Sequence, residues 1–295
     1  MKNIFNILKA LLSPKLREDK KNNFKKNEGY DALAMLERAG LGPSHDLPLF
    51  TGIPTTIYII ASTGRSGSTF LAQGLTSTKL AGNPAEFFNE RHFDNLKQRW
   101  QGTPDEFMSQ LFAYRTSPNG ICGMKIHGHI IESTRNYWES YVNKFILIER
   151  KDKIGQGISL FKANLTNSWS SKKQPEKFLT FQDYDFIEVA KNIALLIDHS
   201  MKWPNYFASR QIKPINILYE DLEQNPQQIV VEIMQNAFGI IIDPAIVSFN
   251  NLKRQRDELS DYYKQRFFED FATKQAILSD DIVKIVTKEM EIYNS

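Results

Sequence analysis

A short segment around residue 65 combines the residue types that bind an anion at the start of a helix. The apolar run TIYIIA leads into residues 64–69 (GRSGST), and apolar residues at helical spacing follow. Glycines let successive backbone N–H groups converge on an oxyanion, and a helix N-terminus adds its dipole. A guanidinium is a forked donor for phosphate oxygens. The pattern predicts a phosphate site, with a plain strand-to-helix turn as the alternative, formed by Gly64, Arg65, Ser66, Gly67, Ser68 and Thr69.

This loop differs from the loop that binds nucleotide triphosphates. The triphosphate loop reads G-x-x-x-x-G-K-[ST], and its Ser/Thr hydroxyl binds magnesium. Residues 64–69 contain no lysine. The sequence therefore disfavours an ATPase or a kinase at this loop.

The elements around the loop alternate between strands and helices. Short β-rich runs occur at residues 56–61, 123–127, 144–149 and 214–219. Between and after them, helical periodicity is found at residues 30–39, 153–165, 186–201, 226–238 and 280–293, and the polar stretches 167–182 and 250–262 are expected as loops. The alternation predicts an α/β fold with a mostly parallel sheet and helices on both faces. We expect residues 1–54 to form an arm and lead-in, and residues 55–295 to form the catalytic domain.

Three further motifs follow the loop in order: AGNPAEFF at residues 81–88, GMKIH at 123–127 and ERKDKIGQGISLFKANLTNSW at 149–169. In order and spacing, the four motifs resemble the Stf0-type bacterial sulfotransferases. The resemblance implies a P-loop-like fold and 3'-phosphoadenosine 5'-phosphosulfate (PAPS) as the donor co-substrate. It also implies a hydroxyl of a carbohydrate or glycolipid as the acceptor, and no metal.

The donor carries two phosphate positions, so two anion sites are needed. The resemblance assigns the 5'-phosphosulfate to residues 64–69 and the 3'-phosphate to Arg150 and Ser159. A late basic group, with a loose alignment, is expected to close over the nucleotide: Lys253, Arg254 and Arg256. Without the family context, Arg150 in an exposed turn and solvated charge in the late group are the alternatives. Residues 219–221 (YED) resemble a segment that braces the site.

Sulfuryl transfer leaves negative charge on the departing phosphate and requires a base for the acceptor hydroxyl. Arg65 and Lys125 are the candidates for stabilising the departing oxygen. Glu86 matches the glutamate base of the resembling family, and His127 is the rival base because K-I-H also resembles a motif of cytosolic sulfotransferases. We expect Pro84, Phe87 and Phe88 to desolvate the Glu86 carboxylate and raise its basicity.

Residues near Glu86 are the candidates for acceptor binding. They are Asn83, Pro84, Phe87, Phe88 and Asn89. A sugar-stacking surface is expected from Phe87, Phe88, Trp138 and Trp169, with Asn89 or Asn164 as hydrogen-bonding partners and His129 as a weaker candidate. Most buried aromatics serve only the core, which is the alternative for these rings.

Composition narrows the class of protein. The chain has 295 residues, 41% hydrophobic and 24% charged, which excludes collagen-like and wholly disordered chains. The single cysteine, Cys122, forms no internal disulfide, so a cytoplasmic location is expected. Residues 1–26 hold eight basic and two acidic side chains and so carry a charge of +6. Because the net charge of the chain is +3, the remaining residues carry −3. The negative charge of these remaining residues argues against nucleic-acid binding.

The N-terminal arm begins MKNIFNILKALL, an amphipathic pattern followed by lysines. Such an arm can lie on an anionic membrane, which leaves open a peripheral position at its inner face; docking on the chain's own domain or on a partner is the alternative. A homodimer also stays open. Two other functions stay open as well: a nucleotide kinase or NTPase, and a catalytically silent nucleotide- or glycan-binding module. The acceptor and its regiochemistry are not fixed by the sequence.

Overall fold

The structure is a computed structural model, and it describes residues 32–169, 175–249 and 257–294. Two predictions fall outside these ranges. They concern the basic arm at residues 1–26 and the late basic group Lys253, Arg254 and Arg256.

A parallel sheet forms the centre of the molecule. Its strands are β1 (Thr56–Ser62), β2 (Ile121–His127), β3 (Lys144–Glu149) and β4 (Ile215–Leu218), in the spatial order β2-β1-β3-β4. All three pairings are parallel. The prediction of an α/β fold with a parallel sheet is confirmed.

Helices connect and cover these strands. Before the third strand lie α1 (Ala32–Arg38), α2 (Ser68–Ser77), α3 (Phe93–Arg99), α4 (Pro104–Arg115) and α5 (Ile131–Trp138). After it lie α6 (Lys153–Thr166), α7 (Phe186–Ser200), α8 (Lys202–Arg210), α9 (Tyr219–Gln224), α10 (Pro226–Phe238), α11 (Glu258–Lys274) and α12 (Asp280–Asn294). The periodicity-based helices lie within a residue or two of these bounds.

One boundary prediction was wrong. The loop expected over residues 250–262 gives way to α11 at Glu258, where the Asp257 side chain accepts a hydrogen bond of 2.9 Å from the Ser260 N–H. The helix buries a stripe at four-residue spacing, Tyr263, Phe267 and Phe271. The first turn of α11 is polar, and the apolar spacing begins only after Tyr262.

The two faces of the sheet bury separate cores. In β1, Ile57, Ile59 and Ala61 face one cluster, whereas Tyr58 and Ile60 face the other. Successive side chains of a strand point to opposite faces, so an unbroken apolar run marks a strand covered on both sides. A third cluster joins α6, α7, α11 and α12.

The lead-in before β1 packs into the same core as the sheet. Leu36 and Leu41 are buried in the first cluster. The fully buried Arg115 guanidinium donates to the carbonyls of Gly40, Gly42 and His45 at 3.2, 3.2 and 2.9 Å. Residues 36–45 are therefore part of the domain that was expected to begin near residue 55.

None of the helices in the described ranges combines the length and the apolar character that a membrane span needs.

Candidate active site

The predicted site residues gather at one edge of the sheet because parallel strands end on the same side. In register, Ser62 at the end of β1 pairs with His127 at the end of β2, and Glu149 of β3 pairs with Leu218 of β4. The phosphate loop follows β1, Arg150 follows β3 and Tyr219 follows β4. Ligands of open α/β sheets bind at this carboxyl edge.

The phosphate loop has a backbone that two residues bend into the left-handed region. Arg65 has φ 62° and Gly67 has φ 88°. A Cβ on Gly67 would lie 2.3 Å from Cδ2 of Tyr219, so only glycine lets the loop pass beneath that ring. α2 begins at the next residue, so the loop lies at the N-terminus of this helix, where the helix dipole favours an anion.

Gln156 on α6 holds the start of the loop. Its Nε2 donates to Thr63 Oγ1 at 2.9 Å and to the Gly64 carbonyl at 2.6 Å. The sequence analysis did not assign Gln156 to the site. The available signal was its place between Arg150 and Ser159 on a helix that follows a strand.

The structure brings two predicted donor-binding residues into direct contact. Arg65 Nε donates to Ser159 Oγ at 2.9 Å, and Arg65 Nη1 donates to the Trp169 carbonyl at 2.8 Å. Burial, together with the neighbouring charge of Arg150, lowers the pKa of Arg65 to about 10. The two guanidinium groups repel each other, and an anion bound between them would relieve that repulsion.

Arg150 lies between Tyr219 and Asp152. Its guanidinium carbon is 5.1 Å from the centre of the Tyr219 ring, and Nη2 is 3.7 Å from an Asp152 oxygen. Glu220 accepts from the Lys151 and Asp152 N–H groups at 3.1 Å, so the YED segment fixes the backbone that carries Arg150. Arg150 Nε is a buried donor that has no hydrogen-bond partner in the described part of the chain.

Lys125 links Glu86 to α2, the helix that follows the phosphate loop. Its Nζ lies 2.7 Å from Thr69 Oγ1 and 2.8 Å from Glu86 Oε1. A bridge between Ala85 and Met124, with the Lys125 N–H donating to the Ala85 carbonyl at 2.9 Å, lays the AGNPAEFF segment alongside β2. The fold therefore places Glu86, the candidate base, beside Lys125, a candidate for stabilising the departing oxygen.

Glu86 is ionised more readily than an ordinary glutamate. Burial acts to raise the pKa of Glu86, but Lys125 and His127 outweigh it, and the pKa lies well below its usual value. His127 Nε2 is 3.2 Å from Glu86 Oε1, and Asn89 Nδ2 donates to Oε2. Desolvation acts in the expected direction, but the predicted net rise in the basicity of Glu86 was wrong, because the contacts with Lys125 and His127 lower the pKa of the carboxyl by more.

Three histidines extend from Glu86 along the edge. The His127 ring centre lies 5.9 Å from that of His129, which stacks on His199 at 4.7 Å. Burial, with the neighbouring histidines, lowers the pKa of His129 to about 4 and that of His199 to about 3. Both rings are neutral at pH 7.

Most of the rings proposed for sugar stacking are in the core, which corrects the expectation. Phe87, Phe88 and Trp138 are 0, 1 and 0% exposed, so no face of these rings is open to an acceptor. Phe87 packs near Trp100, and Phe88 packs near Phe93, Phe107 and Tyr137. Of the four rings, Trp169 alone remains partly exposed.

The other acceptor candidates have different positions. Asn89 contacts Glu86, whereas Asn83 Nδ2 donates to the His45 carbonyl at 2.8 Å and Pro84 is buried. Asn164 donates to Asn192 Oδ1 at 3.0 Å. Asn83 and Pro84 thus join the segment to the body of the domain, and Asn89 lies at the carboxylate.

Arg91 was missed by the sequence analysis. Its guanidinium carbon lies 3.8 Å from the centre of the Trp169 ring. Only its position five residues after Glu86 could have signalled it. As to metals, no group of three or more His, Cys, Asp or Glu side chains in the described ranges is arranged to bind an ion.

Two solved sulfotransferase structures resemble the chain. The sulfotransferase domain of the Synechococcus PCC 7002 olefin synthase matches with a TM-score of 0.42 at 14% identity, covering 81% of this chain and 95% of that one. A sulfotransferase from Alicyclobacillus acidocaldarius matches with a TM-score of 0.35 at 15% identity, covering 77% and 96%.

Sequence relatives and a family model match more specifically. Trehalose 2-sulfotransferase of Mycobacterium tuberculosis (strain Erdman) is 25% identical over 253 residues, covering 71% of this chain and 93% of the relative. The enzyme of the same name from Mycolicibacterium smegmatis is 23% identical over 258 residues, covering 73% and 95%. The family model for Stf0 sulphotransferase matches residues 57–121 and 138–270, which include the phosphate loop, Glu86, Arg150 and Ser159. The chain therefore belongs to the Stf0 sulphotransferase family of enzymes.

Proposed function

We propose that this sulfotransferase transfers a sulfuryl group from PAPS to a hydroxyl of a carbohydrate or glycolipid. The observation that carries the proposal is the position of Lys125. The Lys125 ammonium contacts both Thr69 of α2 and the Glu86 carboxylate, at 2.7 and 2.8 Å. The leaving phosphate would lie on the Thr69 side of this ammonium and the acceptor hydroxyl on the Glu86 side.

The donor fits the residues at the phosphate edge. Ser66 Oγ and Arg150 Nε are buried polar atoms without a hydrogen-bond partner in the described ranges, and such atoms normally have one. The loop of residues 64–69 would hold the 5'-phosphosulfate, and Arg150 with Ser159 would hold the 3'-phosphate. The neighbouring guanidiniums of Arg65 and Arg150 favour a dianionic ligand over a neutral one.

Three side chains carry the reaction. Glu86 accepts the proton of the acceptor hydroxyl, whose oxygen forms the new bond to sulfur while the bond from sulfur to the phosphate oxygen breaks. Lys125 and Arg65 stabilise the charge that grows on the departing phosphate. As Lys125 turns to that charge its hold on Glu86 weakens, which raises the pKa of the carboxyl as the proton arrives. His127 holds Glu86 in place.

The acceptor class rests on the relatives. Both are named trehalose 2-sulfotransferase, which supports a saccharide hydroxyl as the acceptor. We propose a cytoplasmic location, since the single cysteine, Cys122, cannot form an internal disulfide. We also propose a peripheral membrane contact through residues 1–26, and deletion of these residues should then reduce binding to anionic liposomes.

The test is a calorimetric titration with 3'-phosphoadenosine 5'-phosphate (PAP), the desulfated product, in parallel with ADP and without magnesium. We expect tight PAP binding that weakens strongly in Arg65→Ala and in Arg150→Ala. Equal affinity for ADP would contradict the donor assignment and favour an ordinary nucleotide site. PAP binding without any sulfate transfer to a panel of saccharides would favour a silent binding module.

A further inference from the structure

One cation beside Glu86 has no role in the proposed reaction. The Arg91 guanidinium stacks on Trp169 at 3.8 Å. Among the described residues, no Asp or Glu oxygen lies within 4.0 Å of its nitrogens. Two other cations of the site already have polar partners: Lys125 contacts the Glu86 carboxylate at 2.8 Å, and Arg65 donates to Ser159 Oγ and to the Trp169 carbonyl.

Both members of this stack are fixed to the active site. The Trp169 carbonyl accepts from Arg65 at 2.8 Å, which ties it to the phosphate loop. The Arg91 N–H donates to Asn89 Oδ1 at 3.0 Å, and Asn89 in turn contacts Glu86. The stack therefore lies where the donor loop and the acceptor carboxylate meet.

The electrostatics place Arg91 near Glu86 without pairing the two. Burial lowers the pKa of Arg91, and the Glu86 charge opposes that shift. The same carboxylate acts on His92, whose pKa burial also lowers. A guanidinium stacked on an indole keeps its in-plane N–H edge available, and that edge matches a carboxylate or a phosphate.

We propose that Arg91 forms an acceptor subsite for an acidic saccharide, binding a carboxylate or phosphate substituent of the sugar whose hydroxyl is sulfated. Trp169 is the positioning residue that orients the guanidinium. This inference rests on the proposed function. It goes beyond it because it names the charge of the acceptor, which the relatives' names do not.

The test titrates saccharides into the protein saturated with PAP, by calorimetry. Two matched pairs separate charge from shape: trehalose with trehalose-6-phosphate, and glucose with glucuronic acid. We expect the acidic member to bind roughly tenfold or more tightly, the size of one charge-assisted contact. Arg91→Gln should abolish that difference, and Arg91→Lys should restore part of it. The control is Arg135→Gln, an exposed arginine of α5 that pairs with Glu132 and should keep the preference.

The outcomes separate this inference from the proposed function. If PAP binds but the neutral sugars bind as tightly as the acidic ones, or none binds at millimolar concentration, the acidic subsite is overturned and the donor site stands. An acidic preference that survives in Arg91→Gln overturns it too. Failure of PAP to bind the wild-type protein overturns both. A preference in one pair alone would identify the substituent as phosphate or carboxylate.

Discussion

Glu86 is the residue that we propose as the base of the reaction. Its side chain is 28% exposed and contacts Lys125 and His127. A carboxylate whose pKa is held low by Lys125 and His127 binds a proton weakly. In the proposed reaction, a loosened contact with Lys125 would raise the proton affinity of Glu86.

We expect Glu86→Gln to lower kcat/KM for sulfate transfer by about 100- to 10,000-fold, since an amide cannot take the hydroxyl proton. PAP affinity, measured by calorimetry, should be retained. The matched variant is His127→Asn, which we expect to lose much less because His127 orients the base. A larger loss in His127→Asn would make the histidine the base.

Replacing Lys125 should move the pH dependence. In Lys125→Met, the charge of Lys125 no longer lowers the pKa of Glu86, whereas burial still raises it. The pKa of Glu86 therefore rises, and the acid limb of kcat/KM shifts to higher pH. The depressed pKa also stabilises the wild-type fold above the unfolded-state pKa of about 4.3, and this stability is lost as pH falls through the folded value. Unfolding measured by urea titration from pH 7 to about pH 3 should show a smaller loss in Lys125→Met.

The control for that experiment is Lys144→Met. This lysine is exposed at the start of β3, at the opposite end of the strand from the site. Its loss should leave the acid limb in place. A limb that stays fixed in Lys125→Met would mean that Lys125 does not set the pKa of Glu86.

At the scale of elements, the phosphate loop depends on the element after β4. Tyr219 begins α9. Its ring packs against Gly67, and the centre of the ring lies 5.1 Å from the guanidinium carbon of Arg150. Three segments that are far apart in sequence thus meet at the proposed anion site. The loop geometry is consequently sensitive to any atom added beneath that ring.

Gly67→Ala should destabilise both the loop and PAP binding. The substitution combines an unfavourable positive φ with a Cβ 2.3 Å from Tyr219, and we expect a loss of about 2–4 kcal/mol in the free energy of unfolding. Gly239→Ala is the matched control, because Gly239 has φ 70° but nothing within 4 Å of the added atom. It should cost about 1 kcal/mol and leave PAP binding unchanged. Equal losses in urea unfolding would show that contact with Tyr219 is unimportant.

At the scale of the whole molecule, Arg115 joins the lead-in to the sheet domain. Besides the three carbonyls, it contacts Asp46 Oδ1 at 3.1 Å, and Asp46 also pairs with Arg99 on α3. Burial lowers the pKa of Arg115 to about 10, so the group stays charged at pH 7. The Arg115 guanidinium donates hydrogen bonds to backbone carbonyls of the lead-in, whose described residues form no strand.

Arg115→Leu should therefore cost about 3–5 kcal/mol in the free energy of unfolding, because it leaves three carbonyls without their donor and removes one of the two cations that pair with Asp46. Urea denaturation measures the loss. Arg135→Ala, which removes an exposed ion pair on α5, should cost under about 1 kcal/mol. If the two variants lost similar stability, the lead-in would not depend on Arg115.

The sequence by itself determined the features that local pattern encodes. The apolar runs at β1 to β4, the helices over residues 153–165 and 226–238, and the glycine-rich loop each depend on residues close together in the chain. The order and spacing of the four motifs also indicated the family that the family model confirms. Periodicity and turn chemistry are local, so a single sequence carries them.

Tertiary structure alone decided what depends on distant neighbours. Phe87 and Phe88 face the core rather than a sugar, because α3 and α4 close over them. The pKa of Glu86 falls rather than rises, because β2 brings Lys125 and His127 to the same carboxylate. Gln156 reaches the phosphate loop, and Arg91 meets Trp169, across more than seventy residues of sequence. Burial and net charge are sums over contacts from the whole fold, and local pattern does not contain those sums.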